Sequence, residues 1–280
     1  MTQTEMNRHD GAAPNLGDIP VVILCGGMGT RLREASEHLP KPLVDIGGRP
    51  ILWHIMKVYG HFGFRRFVLC LGYKSDQIKR YFLDYREQAS DFTLRLTDDH
   101  QPVFHNDAGD EDWEVTFAET GLLTGTGARV RRVAEYLDND LLMLTYGDGI
   151  GAVDLRGLVD AHMTGGRIGT VTGVHPGSRY GEMRAAPSGA QIEEFNEKPT
   201  IVTGWVSGGF FMFDRSFVDK YFDDDPGLLL EHRPLQHLAR DGQLTLFPHE
   251  GFWIGMDTFR DWTELNKLWD SGVAPWKVWD

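Results

Sequence analysis

The first part of the chain alternates between two patterns of hydrophobic and polar positions. Short, continuously apolar runs are typical of strands buried on both faces of a sheet. The segments between them carry apolar residues at the three- and four-residue spacing of amphipathic helices. The pattern predicts strands at Val21–Leu24, Arg66–Leu71, Trp113–Ala118 and Leu141–Tyr146, and helices at Pro50–Phe62, Ser75–Tyr85, Ala128–Leu137 and Leu155–Met163. We therefore expect an α/β fold with a Rossmann-like mixed, mainly parallel sheet flanked by helices, and ligands at the carboxyl ends of its strands.

The pattern changes beyond Arg167, where strands become denser and helices fewer. Strands are predicted there at Ile168–Val174, Gln191–Phe195, Trp205–Phe213 and Leu244–Pro248. We interpret residues 19–165 and 166–280 as two halves of one domain that share a continuous sheet. The acidic stretch from Asp98 to Asp112 is expected to be an exposed loop or excursion. Residues 1–18 are low in bulky apolar side chains and are expected to form a flexible lead.

Composition and charge exclude several classes of partner. The formal net charge is -13, from 41 acidic and 28 basic residues. This argues against a broad surface for nucleic acid or anionic membrane, because both need basic patches. No apolar run approaches the ~20 residues of a membrane span, and the N-terminus lacks the apolar core of a secretory signal. Cys25 and Cys70 are too few for a disulfide framework and are expected to be buried and reduced, so we expect a cytoplasmic protein.

A glycine-rich turn, Gly26-Gly27-Met28-Gly29-Thr30-Arg31, follows the first predicted strand. Its glycines allow backbone N–H groups to approach an anion closely, and Arg31 and Lys41 add positive charge beside it. A dinucleotide fingerprint would need a third glycine where Leu32 stands, and a P-loop would need Gly-Lys followed by Ser or Thr. Lys41 lies between two prolines that restrict its backbone, which suits an ammonium group directed at an α-phosphate. The turn therefore predicts a phosphate-binding loop of another kind, suited to nucleotidyl transfer.

Two aspartates follow apolar segments and suit a divalent cation. Asp148 lies between two glycines after the strand 141–146, and Asp257 lies in the segment GFWIGMDT. Mg²⁺ is commonly held by one or two carboxylates together with substrate phosphates. Each aspartate also has a structural alternative, a turn for Asp148 and a helix N-cap for Asp257. No serine or cysteine has a plausible base at motif spacing, which favours direct in-line transfer over a covalent enzyme intermediate.

These motifs resemble those of the sugar-1-phosphate nucleotidylyltransferases. The family's GGxGTRL loop and PKP lysine match Gly26–Leu32 and Pro40–Pro42, and its YGDG, EKP and MDT motifs match Tyr146–Gly149, Glu197–Pro199 and Met256–Thr258. Segments similar to the cytidylyl branch of the family are Gly47–Lys57, Trp113–Gly121, Arg132–Tyr136 and Ala274–Asp280. The resemblance extends from about Ile19 to the C-terminus. It implies the nucleotide-diphospho-sugar transferase type of fold, with nucleotide binding in residues 19–165 and sugar-phosphate binding in residues 166–280.

The resemblance implies an enzyme that uses Mg²⁺ to transfer a nucleotidyl group from an NTP, favoured as CTP, to a hexose 1-phosphate, favoured as glucose 1-phosphate. In this interpretation Asp148 and Asp257 hold the metal, and Lys41, Arg31 and Asp148 are catalytic. Nucleotide-binding residues are implied at Leu24, Gly26, Gly27, Gly29, Thr30, Arg31, Lys41, Thr124, Gly127, Arg129 and Gly147. Residues implied to face the sugar phosphate are Tyr146, Gly181, Glu197, Lys198, Gly208 and Gly209.

Two departures from the family pattern leave the base and the sugar open. Ser207 stands where an asparagine is expected, and Leu122 and Leu123 are apolar where polar residues are more usual. Another nucleotide or sugar 1-phosphate, or a non-catalytic regulator that binds sugar nucleotides, therefore remain alternatives; a nicotinamide-dependent oxidoreductase is disfavoured by the missing third glycine. The family also implies a homo-oligomer. The tail tryptophans Trp276 and Trp279 suggest a surface that needs covering, unless they pack on their own chain.

Overall fold

The computed structural model describes residues 13–27, 39–96, 101–106, 111–175, 182–185, 192–196 and 204–279 of the chain. The strands of its main sheet draw mainly on β-branched, aromatic and other apolar residues. In chain order these are β1 (Val21–Leu24), β2 (Asp45–Ile46), β3 (Arg49–Pro50), β4 (Arg66–Leu71), β5 (Phe92–Leu94), β6 (Pro102–Phe104), β7 (Glu114–Glu119), β8 (Leu141–Tyr146), β9 (Gly149–Gly151), β10 (Gly169–Val174), β11 (Glu182–Ala185), β12 (Ile192–Asn196), β13 (Val206–Asp214), β14 (Leu244–His249) and β15 (Trp253–Gly255).

Seven of these strands form one sheet, in the order β14-β10-β13-β8-β1-β4-β7. Strand β13 runs antiparallel to both of its neighbours, and the other pairs in the sheet are parallel. The mixed, mainly parallel sheet predicted above is confirmed. Leu24 pairs in register with both Cys70 and Tyr146. The residues that follow β1, β4 and β8 therefore lie side by side at one edge of the sheet, the edge where parallel sheets bind ligands.

Helices cover both faces of the sheet. They are α1 (Ile51–His61), α2 (Ser75–Leu83), α3 (Tyr85–Ala89), α4 (Thr126–Arg132), α5 (Leu155–Gly165), α6 (Ser216–Tyr221), α7 (Arg233–Arg240) and α8 (Phe259–Asp270). Side chains of β1 alternate between two cores, with Val21 and Ile23 in one and Val22 and Leu24 in the other. The first core packs against α1, α5 and α8, and the second against α4, α6 and α7. Burial on both faces explains why β1 reads as a continuous apolar run.

The predicted bounds of three buried strands, β1, β4 and β8, agree with the structure. The helix predicted at Ser75–Tyr85 instead ends at Leu83, and α3 begins at Tyr85. The helix predicted at Ala128–Leu137 begins earlier, at Thr126, and is followed by a 3-10 turn. The reason for this earlier start is a tertiary contact, because the carbonyl of Leu228 accepts hydrogen bonds from the first-turn N–H groups of α4.

The C-terminal tail packs on its own chain. Trp276 is fully buried and stacks on Phe252 and Trp269, and Trp279 meets the ring of Trp53 on α1 edge to face. Of the two alternatives for the tail tryptophans, the structure shows packing on their own chain, so they give no argument for self-association.

The structure also differs from the predicted lead over residues 13–18. Leu16–Asp18 forms a 3-10 turn, capped by the side chain of Asn15, which accepts a hydrogen bond from Gly17 N. The carbonyl of Asp18 accepts a hydrogen bond from Arg66, which ties the turn to β4. Residues 1–12 of the predicted lead lie outside the described residues.

The predicted acidic excursion contributes one strand to a short hairpin. Strand β6 lies within the excursion and pairs with β5, which precedes it, and the two are separate from the main sheet. Glu111 forms an ion pair of 3.0 Å with Lys57, so this end of the excursion is fastened to α1. Cys25 and Cys70 are free and buried, as predicted. Within the described residues, none of the helices combines the length and apolarity needed to cross a membrane.

Candidate active site at the edge of the sheet

A cavity of about 650 Å³ opens at the carboxyl edge of the parallel strands. Its floor is formed by the ends of β1 and β8, and one wall is formed by the loop from Leu122 to Thr126. Lys41 and Asp257 reach it from elsewhere in the chain. The volume lies within the usual range for small-molecule sites. The lining residues are Leu24, Cys25, Gly26, Gly27, Lys41, Pro42, Leu122, Leu123, Thr124, Gly125, Thr126, Arg129, Tyr146, Gly147, Asp148, Gly227, Leu229 and Asp257.

Two glycines, Gly26 and Gly147, lie in the floor of the cavity. Gly147 N donates to the carbonyl of Leu24 over 3.0 Å, which joins the ends of β8 and β1. A Cβ at Gly147 would lie 3.0 Å from that carbonyl oxygen, and a Cβ at Gly26 would lie 2.0 Å from the guanidinium of Arg129. A side chain at Gly26 would have to displace Arg129, and one at Gly147 would be crowded by the Leu24 carbonyl; with glycine at both positions a ligand can approach the backbone closely.

Three charged side chains meet at the mouth of the cavity. The Lys41 ammonium lies 2.6 Å from an Asp148 carboxylate oxygen and 2.8 Å from one of Asp257. The lysine side chain is only 11% exposed, whereas the aspartates are 37% and 36% exposed. Burial opposes the charge of Lys41, but the two carboxylates outweigh it and hold the pKa of Lys41 above its ordinary value. The lysine is therefore a permanent cation here.

The same two carboxylates fit a divalent cation. They already share one cation, the Lys41 ammonium, and carboxylate oxygens are the donors that Mg²⁺ prefers. The described part of the chain holds no group of three or more His, Cys, Asp or Glu side chains placed for a metal. A cation between Asp148 and Asp257 would thus need further oxygens from water or substrate phosphates, as is usual for Mg²⁺.

Each member of the cluster is positioned by a separate element. Asp148 lies in the turn between β8 and β9, and its carbonyl accepts from Met256 N over 2.9 Å. Asp257 immediately precedes α8, where Thr258 is the N-cap and forms a capping box with Asp261. Asp257 N donates to the Asp261 carboxylate over 3.0 Å. The helix is therefore capped by Thr258, and the carboxylate of Asp257 contacts Lys41 instead.

Helix α8 also holds the β-hairpin that follows Lys41. Trp262 Nε1 donates to the carbonyl of Asp45, and Gly47 N donates to Asn266 Oδ1. Gly47 has φ +61°, and a Cβ there would lie 1.8 Å from the ring of Trp269. Lys41 and Asp257 are thus held together by their ion pair and by the docking of the elements that carry them.

Arg129 is a buried cation behind the cavity floor. It is 4% exposed, and its guanidinium donates to the carbonyls of Gly26, Leu71 and Leu122 and to the Thr120 hydroxyl. Burial lowers its pKa from the ordinary value. These bonds join the ends of β1, β4 and β7, so Arg129 shapes the loop around the predicted nucleotide position and also lines the cavity.

Thr124 and Gly127, both predicted to bind the nucleotide, differ in their relation to the cavity. Thr124 lines the cavity beside Leu122 and Leu123, which are 52% and 83% exposed. Gly127 lies in the first turn of α4, where a Cβ would lie 3.0 to 3.1 Å from the Leu228 and Leu230 segment, outside the cavity lining. Its glycine is therefore explained by packing.

The predicted sugar-side residues Tyr146, Gly208 and Gly209 are neighbours. Gly209 has φ +79°, and a Cβ there would lie 2.5 Å from the Tyr146 ring. The carbonyl of Gly208 accepts from Trp253 Nε1 over 2.8 Å. Tyr146 lines the cavity, and Gly209 packs against its ring. The remaining predicted residues, Gly29, Thr30, Arg31, Gly181, Glu197 and Lys198, lie outside the described residues.

Sequence reasoning missed the segment from Pro226 to Glu231. Gly227 and Leu229 line the cavity, and Glu231 accepts hydrogen bonds from Thr126 and Tyr146. The letters DDDPGLLLEHRP carry no motif with a fixed chemical meaning, so no sequence signal pointed to them.

The chain is similar to known proteins over most of its length. The nucleotidyl transferase family model matches residues 20–266. The chain is 42% identical over 262 residues to the glucose-1-phosphate cytidylyltransferase of Salmonella typhimurium, and 41% identical over 258 residues to a Bacillus subtilis protein named as a probable glucose-1-phosphate cytidylyltransferase. Each alignment covers 92% of this chain and 99% of the relative. The crystal structure of HddC from Yersinia pseudotuberculosis complexed with GMP-PN aligns with TM-score 0.63 and 22% identity, covering 90% of this chain and 99% of that one, which shows the shared fold.

Proposed function

Because the chain belongs to the nucleotidyl transferase family, we propose that it transfers the cytidylyl group of CTP to glucose 1-phosphate, with release of pyrophosphate. The observation that carries the proposal is the position of Lys41 between Asp148 and Asp257 at the mouth of the cavity. A pure binding protein has no need of two carboxylates that share one cation. The named substrates of the Salmonella and Bacillus relatives support the choice of CTP and glucose 1-phosphate.

The proposed reaction is a single in-line displacement. A phosphate oxygen of the sugar 1-phosphate attacks the α-phosphorus of CTP and forms a new P–O bond. The bond from the α-phosphorus to the oxygen that bridges to the β-phosphate breaks, and pyrophosphate leaves with that electron pair. Positioning and charge neutralisation supply the catalysis in such a transfer. Lys41 can follow the negative charge that develops on the α-phosphate, because its fixed backbone directs a permanent cation into the cavity.

Asp148 and Asp257 are the residues that would hold a divalent cation, proposed as Mg²⁺. When bound, such an ion neutralises phosphate charge and polarises the phosphorus centre. Cys25 also lines the cavity, but burial raises the pKa of its thiol well above the ordinary value. A thiol kept protonated is a poor nucleophile, so Cys25 does not offer a covalent route.

Two features of the proposal do not depend on the geometry of the cavity. Self-association into a homo-oligomer is one, and sizing of the purified protein by light scattering tests it. Location in the cytoplasm is the other, and the two free, buried cysteines suit a reducing compartment.

Pyrophosphate release tests the proposal directly. The purified protein with Mg²⁺ is assayed against CTP, UTP, ATP and GTP, each with glucose 1-phosphate and with mannose 1-phosphate. We expect the largest kcat/KM with CTP and glucose 1-phosphate. Asp148→Asn, which removes charge and keeps shape, should nearly abolish turnover, whereas Asp270→Asn at the exposed end of α8 should not. No turnover with any pair would overturn the proposal, and tight binding of CDP-glucose without turnover would indicate a regulator instead.

A further inference from the structure

Glu231 joins two walls of the cavity through both oxygens of its carboxylate. Oε1 accepts a hydrogen bond from the Tyr146 hydroxyl over 2.5 Å, and Oε2 accepts one from the Thr126 hydroxyl over 2.8 Å. Tyr146 and Thr126 both line the cavity. They come from separate elements, the end of β8 and the start of α4, so the carboxylate bridges parts of the fold that are distant in sequence.

The wall formed by the Leu122–Thr126 loop is held by the segment from Pro226 to Glu231. The Pro226 carbonyl accepts from Gly125 N over 2.9 Å, and the Leu228 carbonyl accepts from Gly127 N and Ala128 N over 2.9 and 3.1 Å. The Thr126 hydroxyl in turn accepts from Leu230 N over 2.9 Å. Two first-turn N–H groups of α4, those of Gly127 and Ala128, are therefore satisfied by this segment. The segment consequently holds the end of the Leu122–Thr126 loop in place.

The other wall depends on Tyr146. This residue ends β8, two positions before Asp148, and its ring lies over Gly209 and packs edge to face on Phe211. The Tyr146 hydroxyl donates its hydrogen bond to the Glu231 carboxylate, so the orientation of the ring is tied to that residue. The position of the Tyr146 ring affects the backbone that presents Asp148, because only Gly147 separates the two residues.

We infer that Glu231 is a positioning residue that fixes the distance between the Leu122–Thr126 wall and the Tyr146–Asp148 strand end, and so aligns the nucleotide with the reacting groups. This inference rests on the proposed nucleotidyl transfer. Glu231 itself is absent from the cavity lining, so it acts through Tyr146 and Thr126. A carboxylate is suited to this role because it accepts from two hydroxyl donors at once and needs no donor of its own.

The conservative variant Glu231→Gln distinguishes hydrogen bonding from charge. Its amide oxygen can still accept from Tyr146, and its amide nitrogen can donate to the Thr126 oxygen, so both contacts persist without the charge. Glu231→Ala removes both contacts. Misplacement of bound groups by about 1 Å can reduce a rate by about a hundredfold. We therefore expect Glu231→Ala to lower kcat/KM for CTP by at least about tenfold, and Glu231→Gln to restore most of that loss.

The experiment measures kcat and KM for CTP and glucose 1-phosphate, and the Kd of CTP by calorimetry, in the wild type, a control and four variants of the bridge. These are Glu231→Ala, Glu231→Gln, Tyr146→Phe and the double variant Glu231→Ala/Tyr146→Phe. The matched control is Asp241→Ala, because Asp241 accepts from the Tyr221 hydroxyl over 2.9 Å at an exposed site away from the cavity. Circular dichroism at the assay temperature confirms that each variant is folded.

The inference predicts three results. Asp241→Ala stays within about twofold of wild type in kcat/KM. Glu231→Ala weakens CTP binding as well as turnover, and the loss in the double variant is clearly smaller than the product of the single losses, since both changes break one contact. Fully additive losses, a Gln variant as impaired as the Ala variant, or a folded Ala variant with wild-type kcat/KM would each overturn it. If the wild-type protein turned over no nucleotide, the proposed function would fail. That result differs from every outcome in which only the variants bear on Glu231.

Discussion

The Lys41 ammonium lies between the two carboxylates that we propose as metal ligands, so removing its charge should strengthen metal binding. Lys41→Met keeps a long side chain and removes the charge. In the free protein a divalent cation must displace the ammonium from Asp148 and Asp257, at 2.6 and 2.8 Å. Hydrogen bonds to charged groups contribute about 1.5–3 kcal/mol each. The carboxylates are more than a third exposed, so we take about 1 kcal/mol for each contact after screening by solvent. A total of about 2 kcal/mol corresponds to a Kd lowered about thirtyfold, at about 1.4 kcal/mol for each tenfold change.

The assay is a titration of nucleotide-free protein with Mn²⁺, in which unbound Mn²⁺ is followed by electron paramagnetic resonance. Lys267→Met on the exposed face of α8 is the matched control, because it changes net charge equally and leaves the cluster intact. We expect tighter Mn²⁺ binding in Lys41→Met and unchanged binding in Lys267→Met. If Lys41→Met binds Mn²⁺ no more tightly than wild type, the ammonium does not compete for the carboxylates and the reasoning fails.

Two further predictions concern stability. Burial lowers the pKa of His54 from 6.5 to about 4. Between these two pH values the imidazole is protonated in the unfolded chain but not in the folded one. The free energy of unfolding should therefore fall by about 2 kcal/mol between pH 8 and pH 5. In urea unfolding, this component should vanish in His54→Gln and persist in the exposed control His61→Gln; parallel pH profiles for wild type and His54→Gln would contradict it. Gly47→Ala should lower the free energy of unfolding by at least about 2 kcal/mol more than Gly48→Ala, since both have positive φ but only the first meets the Trp269 ring. Equal urea midpoints for the two glycine variants would show that the ring moves aside at little cost.

The sheet could be predicted from sequence because its central strands are buried on both faces. Continuous apolar runs such as β1 and β8 have few other interpretations when turns bound them. The start of α4 could not be predicted, because a carbonyl about a hundred residues away supplies the hydrogen bonds of its first turn. The packing partners of the tail could not be predicted for a similar reason. Trp276 is covered by Phe252 and Trp269, and the pairing of these rings depends on the whole fold.

The charged residues of the site could be predicted from the sequence, whereas a residue that positions its walls could not. Lys41, Asp148 and Asp257 were each singled out from local motifs, and the structure brings all three together. Glu231 escaped because its partners lie 85 and 105 residues away in the chain. Its role is defined by two hydroxyl groups that no spacing rule connects to it.

For Asp257 the sequence alone does not decide between a helix cap and a ligand-binding carboxylate, and the local structure does. An aspartate just before a helix can cap the helix or bind elsewhere, and the residue type is the same in both cases. Here Thr258 takes the cap position, and Asp261 completes a capping box by accepting from Thr258 N over 2.8 Å. Asp261 also accepts from Asp257 N, so the backbone of Asp257 is held by the cap while its side chain turns to Lys41. The pair Thr258 and Asp261 therefore supports the charged cluster without touching Lys41, and the sequence TxxD directly after an aspartate is what would indicate this arrangement in advance.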